Sequence, residues 1–147
     1  MAEKIEVDIV TPEGRKLRDR VHMVAVRHSA GGIGVLARHE PAVIRLHIGE
    51  LRVHRENGGP IDRYAIGQGF LRVSGDRAQV VVEQAEHVDD IDVARAEEAM
   101  RSCGEVVDRG EPPEADDEGS VQARREYERA LARYRRAENR LRIARGE

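Results

Sequence analysis

The chain has 147 residues and a mass of 16.5 kDa, room for one domain with a real core or a small domain with an appendage. One phenylalanine, three tyrosines and no tryptophan exclude a large aromatic core and argue against base-stacking surfaces. Cys103 is the only cysteine, which excludes an internal disulfide framework and a cysteine-based metal centre and suits a reducing compartment.

The net charge of −3 is spread unevenly. Residues 1–82 carry thirteen Lys and Arg against ten acids, residues 83–119 three against fourteen, and residues 120–147 nine against four. Such polarity suits segments built to meet something, including each other. The N-terminus has neither a basic n-region nor a long apolar run, so no secretory signal is expected. No apolar stretch approaches the roughly 20 residues of a spanning helix, which leaves a peripheral membrane role at most.

The first half reads as strands. Ile5, Val7 and Ile9 alternate with Glu6 and Asp8 and stop at the turn "TPEG". "VHMVAV" (21–26) is nearly continuous, as expected where a strand is buried on both faces. "SAGGIG" breaks it, "VLARHEPAVI" resumes, and "LHIGELRVHR" runs into "ENGGP", a hairpin-closing turn. "RYAIGQGFLRV" and "AQVVVEQAE" flank a second hairpin signal, "SGDR". Short strands every 8–12 residues or so, with no helical period between them, predict an antiparallel sandwich or barrel over about residues 1–86.

The period then changes to 3.6. Val93, Ala96, Met100 and Cys103 fall on one helical stripe, and Tyr127, Ala130, Tyr134, Ala137, Leu141 and Ala144 on another, thickened by Leu131. The acidic "GEVVDRGEPPEADDEG" between them, with its glycines and paired prolines, predicts a solvated loop over about residues 104–119. "DDIDVARAEEAM" (89–100) predicts the start of the first helix, capped by Asp90 or Asp92. The second domain, 87–147, is thus a two-helix hairpin. Its mostly alanine seam buries little area, so it is held weakly and is free to open onto a better surface.

No catalytic constellation is present. The six histidines (22, 28, 39, 47, 54 and 87) include no His-x-x-x-His pair on a helix, and no metal site is expected. Cys103 lies among small seam residues with no electropositive dyad beside it, as a core thiol does. "GGIG" lacks the GK[ST] of a phosphate loop and precedes a strand, so a turn is expected. Nine arginines on the last helix suggest an acidic protein partner; their modest excess over acids and the seam positions of the tyrosines argue against nucleic acid.

Taken together, "VDIVTPEG", "GGIGVLARHEP", "GELRV", "IGQGFLRV", "IDVARA" and "RRAENRL" resemble, in order and over nearly the whole chain, the epsilon subunit of F-type ATP synthases (delta in mitochondrial naming). The resemblance implies a β-sandwich of about ten short strands followed by a helical hairpin. It implies a non-enzymatic subunit of the rotating central stalk, on the cytoplasmic face of the bacterial plasma membrane. In the family the sandwich joins the gamma subunit to the ring of c subunits, and the hairpin restrains ATP hydrolysis by extending toward the beta subunits. The alternative reading, from another class, is a free-standing nucleotide- or nucleic-acid-binding adaptor.

Residue by residue, the resemblance implies no required cofactor and one regulatory ligand, ATP. Ile91, Asp92, Arg95 and Ala96 match the I/L-D-x-x-R-A motif reported for ATP in some bacterial members, Glu86 matches a further acidic position, and Arg129, Arg136 and Arg140 match basic positions on the second helix. Ser102 stands where such members carry another arginine. His39 and Pro41 match an H-x-P motif near the gamma-facing surface, and Arg133, Arg136 and Arg140 are implied as contacts to a beta subunit.

Overall fold

The computed structural model describes residues 3–28, 31–114 and 117–146, and the chain divides into two compact units, Met1–Ile91 and Asp92–Glu147. The first holds ten strands: β1 (Ile5–Thr11), β2 (Gly14–Val21), β3 (Met23–His28), β4 (Gly31–Leu36), β5 (Ala42–Leu46), β6 (Gly49–His54), β7 (Ile61–Ile66), β8 (Gly69–Ser74), β9 (Arg77–Val82) and β10 (Ala85–His87). They form two five-stranded sheets, β2-β1-β9-β8-β5 and β10-β7-β6-β3-β4. Every pairing is antiparallel except β1 with β9. The expected β-sandwich is the fold.

Alternation in the sequence is what builds its core. Ile9, Val80 and Leu71 face one another across β1, β9 and β8, and all three are fully buried. Val26, Leu51 and Tyr64 form the matching row on the other sheet. Branched aliphatic side chains suit such rows, because they pack on a pleated, half-buried surface. Gly69 is required where β8 meets β9: a Cβ there would lie 1.9 Å from the carbonyl oxygen of Val81.

Three local expectations are corrected. "VHMVAV" is not buried on both faces: Val21, Val24 and Val26 point inward while His22, Met23 and Ala25 are half-buried. Gly31 to Gly34 do not break the sheet but begin β4, which pairs with β3 from Met23–Leu36 to His28–Gly31; the first two residues of "SAGGIG", Ser29 and Ala30, lie outside the described residues. The sandwich also runs beyond residue 86, because β10 pairs with β7 through His87–Tyr64 and a 3-10 turn, Val88–Asp90, completes the unit.

The second unit is a pair of helices, α1 (Val93–Asp108) and α2 (Glu118–Ala144). Residues 104–108 and 118–119 of the expected loop are therefore helical. Val106 and Val107 are half-buried and continue the stripe past Gly104, which repays that glycine's cost in a helix. α1 stops at Gly110, whose φ of +84° suits glycine and whose N–H donates to Val107 O at 3.0 Å. The seam holds Ala96, Ala99 and Cys103 on α1 and Ala137 and Leu141 on α2, all buried, whereas Val93 is 39 % exposed and lies off it. Ion pairs fix the antiparallel register: Arg145–Glu97 at 3.0 Å at one end, Arg124–Glu111 at 2.9 Å and Arg124–Glu114 at 3.1 Å at the other. Among the described residues no helix is long and apolar enough to cross a membrane.

Candidate functional site

The outer face of the β2-β1-β9-β8-β5 sheet carries side chains that the core does not use. One cross-strand row runs Val10–Val81–Phe70–Arg45 and the next Asp8–Gln79–Arg72–Val43. Val43 is 73 % and Phe70 41 % exposed. A groove of about 580 Å3 opens at the end of this sheet, lined by Val10, Pro12, Arg45, Phe70 and Val81 among others. A contiguous apolar groove on a sheet face marks a contact surface more often than a lone exposed side chain does.

Six arginines share that face with two carboxylates. Register puts Arg15, Arg18 and Arg20 of β2 opposite Val10, Asp8 and Glu6, with Arg77 on β9 on the other side of Glu6 and Arg72 and Arg45 farther off on β8 and β5. Asp8 accepts from Arg15 at 2.8 Å, and Glu6 from Arg18 at 2.7 Å with Arg77 at 3.6 Å. The Arg18 hydrogen bond holds the Glu6 carboxyl below its usual range.

The loop before β5 adjoins this face. Arg38 sits at φ +64°, rare for a side chain with a Cβ, in a turn closed by His39 N–H donating to Leu36 O at 3.2 Å. Arg38 pairs with Glu3 at 2.5 Å, and His39 Nδ1–H donates to Glu40 O at 2.7 Å. Pro41 leads into β5. The two residues matched to a partner motif thus lead into the edge strand at its Ala42 end, several residues along β5 from the Arg45 level of the apolar row.

On the opposite outer face, Glu50 is buried and accepts from Arg63 at 2.7 Å and from Arg52. Burial pushes its carboxyl up, and the hydrogen bonds from Arg63 and Arg52 outweigh that and hold it below the usual range. At the end of the sandwich His87 caps the 3-10 turn: its Nδ1 accepts from Asp89 N–H at 3.1 Å, its Nε2–H donates to Asp62 at 3.2 Å, and its ring stands edge-on to Tyr64.

The nucleotide motif falls in both units. Glu86 lies in β10, and Ile91 is the buried last residue of the sandwich unit. Asp92 is the N-cap of α1, and its Oδ1 accepts from Arg95 N–H at 3.1 Å. Arg95 is exposed and Ala96 is buried in the seam. On α2, Arg129 and Arg133 are exposed while Arg136 and Arg140 are half-buried. With Gly104 packed against Tyr134, the hairpin register sets Arg140 about one turn from the level of Arg95 and Arg136 about two turns away. Arg129 stands about four turns off, roughly 20 Å at 1.5 Å per residue. Among the described residues no group of three or more His, Cys, Asp or Glu is placed to hold a metal ion.

Sequence reasoning offered Asp90 or Asp92 as the cap, of which Asp92 is the one used, and missed the apolar row. Its signal was present, since Val10, Phe70 and Val81 occupy outward phases of their strands, where polar residues are the rule.

Comparison with known proteins gives a consistent picture. Residues 4–88 match the family model described as ATP synthase, Delta/Epsilon chain, beta-sandwich domain. The ATP synthase epsilon chain of Halalkalibacterium halodurans is 34% identical over 140 residues, 95% of this chain and 96% of that one. That of Geotalea uraniireducens is 35% identical over 133 residues, 90% of each. In fold, the chain is similar to one in the Euglena gracilis mitochondrial ATP synthase, with a TM-score of 0.69, 24% identity and coverage of 92% of this chain and 78% of that one.

Proposed function

Because this chain belongs to the ATP synthase delta/epsilon family, we propose that it is the central-stalk rotor subunit of a proton-translocating ATP synthase. The observation that carries the reading is the match of both sandwich and hairpin to epsilon chains over 95% of the chain. On this reading the subunit is not itself catalytic and reaches the membrane only through its partners, on the cytoplasmic face in bacteria. The sandwich is a rigid adaptor. Its outer face, with Val10, Val81, Phe70 and the adjoining His39–Pro41 loop, docks on the gamma subunit, while other parts of the sandwich meet the c ring.

The hairpin is the regulatory element. Its seam of Ala96, Ala99, Cys103, Ala137 and Leu141 is small beside the sandwich core, so opening it forfeits less burial. Arg129, Arg133, Arg136 and Arg140 recur at spacings of four, three and four along one side of α2, a basic stripe suited to an acidic segment of a beta subunit. Two arrangements of one element, biased by partners, make a switch. ATP is proposed as the ligand that favours the closed hairpin by mass action. Arg95, Arg136 and Arg140 are its phosphate contacts, and Ala96 lets the helices approach. Arg129 stands too far along α2 to join them in this register. Ile91, Glu86 and Asp92 complete the matched set; with Asp92 engaged as a cap, the arginines carry most of the affinity.

Co-purification tests the assembly reading: the chain should be retained by gamma subunit and c ring. Retention of oligonucleotides at physiological salt, with none of gamma subunit, would favour an adaptor instead. Calorimetry tests the ligand. The isolated chain should bind ATP, and Arg95→Ala should weaken binding about tenfold or more; no heat at millimolar ATP would remove ATP sensing.

A further inference from the structure

Val43, Arg45, Phe70 and Arg72 form a cross-strand square on β5 and β8, with Arg45 opposite Phe70 and Val43 opposite Arg72. The two arginines therefore occupy one diagonal and the two apolar side chains the other. Diagonal neighbours across an antiparallel pair lie about 7–8 Å apart, within the reach of long side chains. All four are exposed. The remaining arginines of this face behave differently. Arg15, Arg18 and Arg77 have carboxylates of the chain at 2.8, 2.7 and 3.6 Å, and Arg20 reaches the Lys4 carbonyl at 3.4 Å. Arg45 and Arg72 have no carboxylate within ion-pair distance among the described residues.

We propose that this square is the specificity element of the docking face: it receives an acidic side chain of the partner protein between Arg45 and Arg72, set among apolar neighbours that cover Phe70 and Val43. The inference rests on the assignment of this face to the gamma subunit. Charge complementarity selects the occupant, since two uncompensated guanidinium groups on one diagonal repel each other until a carboxylate bridges them. Shape selects a protein over a lipid surface. Beside the square the apolar row lines a groove, which takes a protruding side chain and cannot itself insert into a bilayer. Desolvating the arginines against the partner makes the pairing selective, because a partner lacking the carboxylate would bury both charges unpaired.

The test is affinity for the purified gamma subunit, measured for the full chain and three variants at about 50 mM and about 500 mM salt. Arg45→Glu/Arg72→Glu should weaken binding about tenfold or more at low salt, Arg45→Lys/Arg72→Lys much less, and Phe70→Ser should weaken it at both salts. Circular dichroism keeps the comparison to folded variants, and all four side chains are exposed, so folding should survive. If Phe70→Ser weakens binding and the charge reversal does not, the square is overturned and the docking face stands. If neither does, both fall. Binding of the wild-type chain to phosphatidylglycerol vesicles, lost on charge reversal while gamma binding is kept, would also overturn the proposal and assign the arginines to lipid.

Discussion

The sandwich and the hairpin solve the same problem with opposite materials. The sandwich fills its interior with branched side chains contributed by strands far apart in sequence: Ile9 meets Val80 across a parallel pair, and Val26 meets Leu51. The hairpin unit buries three alanines and Cys103 with only two larger aliphatic side chains, Leu141 and Ile143, and is pinned at its ends by ion pairs open to solvent. Buried area scales with side-chain size, and exposed ion pairs contribute little. The sandwich is thus the more firmly packed of the two, a contrast that suits the proposed rotor adaptor with a movable regulator.

The sharpest way to break this contrast is in the core. Leu71→Ala removes a fully buried side chain between β9 and β5 and should cost about 2–5 kcal/mol, lowering the urea midpoint of the cooperative sandwich transition. Leu141→Ala, a deletion in the hairpin seam, should cost about 2 kcal/mol. It should speed hydrogen exchange in α1 and α2 while leaving β9 and β8 protected. Equal loss of protection in both units would contradict two separable units.

Asp92→Ala comes next. It removes the acceptor for Arg95 N–H and should cost about 1 kcal/mol, read as faster exchange at the first turn of α1, with Asp92→Asn restoring most of it. Should ATP affinity fall in Asp92→Ala and recover in Asp92→Asn, capping is the residue's contribution. Should it stay low in Asp92→Asn, the carboxylate touches ligand.

The smallest effect belongs to pH. Glu50 is held below its ordinary value near 4.5 by Arg63 and Arg52. A folded value below the unfolded one adds stability above the unfolded value and loses it as pH falls through the folded value. The urea midpoint of the sandwich should therefore drop on acidification below about pH 4.5, more steeply in the wild type than in Glu50→Gln. Parallel acid limbs would show that the carboxylate adds no pH-dependent stability.

Much of this was legible because both periods are local. Alternation placed the strands and the 3.6 stripe placed the helices, with the first cap narrowed to Asp90 or Asp92. What escaped depended on neighbours or on competing signals. Glycines at 31 and 32 read as a break, yet ladder hydrogen bonds with β3 carry them into β4. Gly104 and the acids after it read as loop, yet Val106 and Val107 keep that turn helical. The apolar row needs Val10 beside Val81, far along the chain, and only the β1–β9 pairing supplies that. The nucleotide motif was legible as a string, while the level of each arginine came only from the hairpin register.

The most direct measurement is ATP hydrolysis by the catalytic sector reconstituted with the full chain and with residues 1–91 alone. The account predicts that both forms bind the gamma subunit with similar affinity and that hydrolysis is several-fold faster with residues 1–91. Equal hydrolysis with the two forms, both fully assembled, would contradict a hairpin that acts as the regulator.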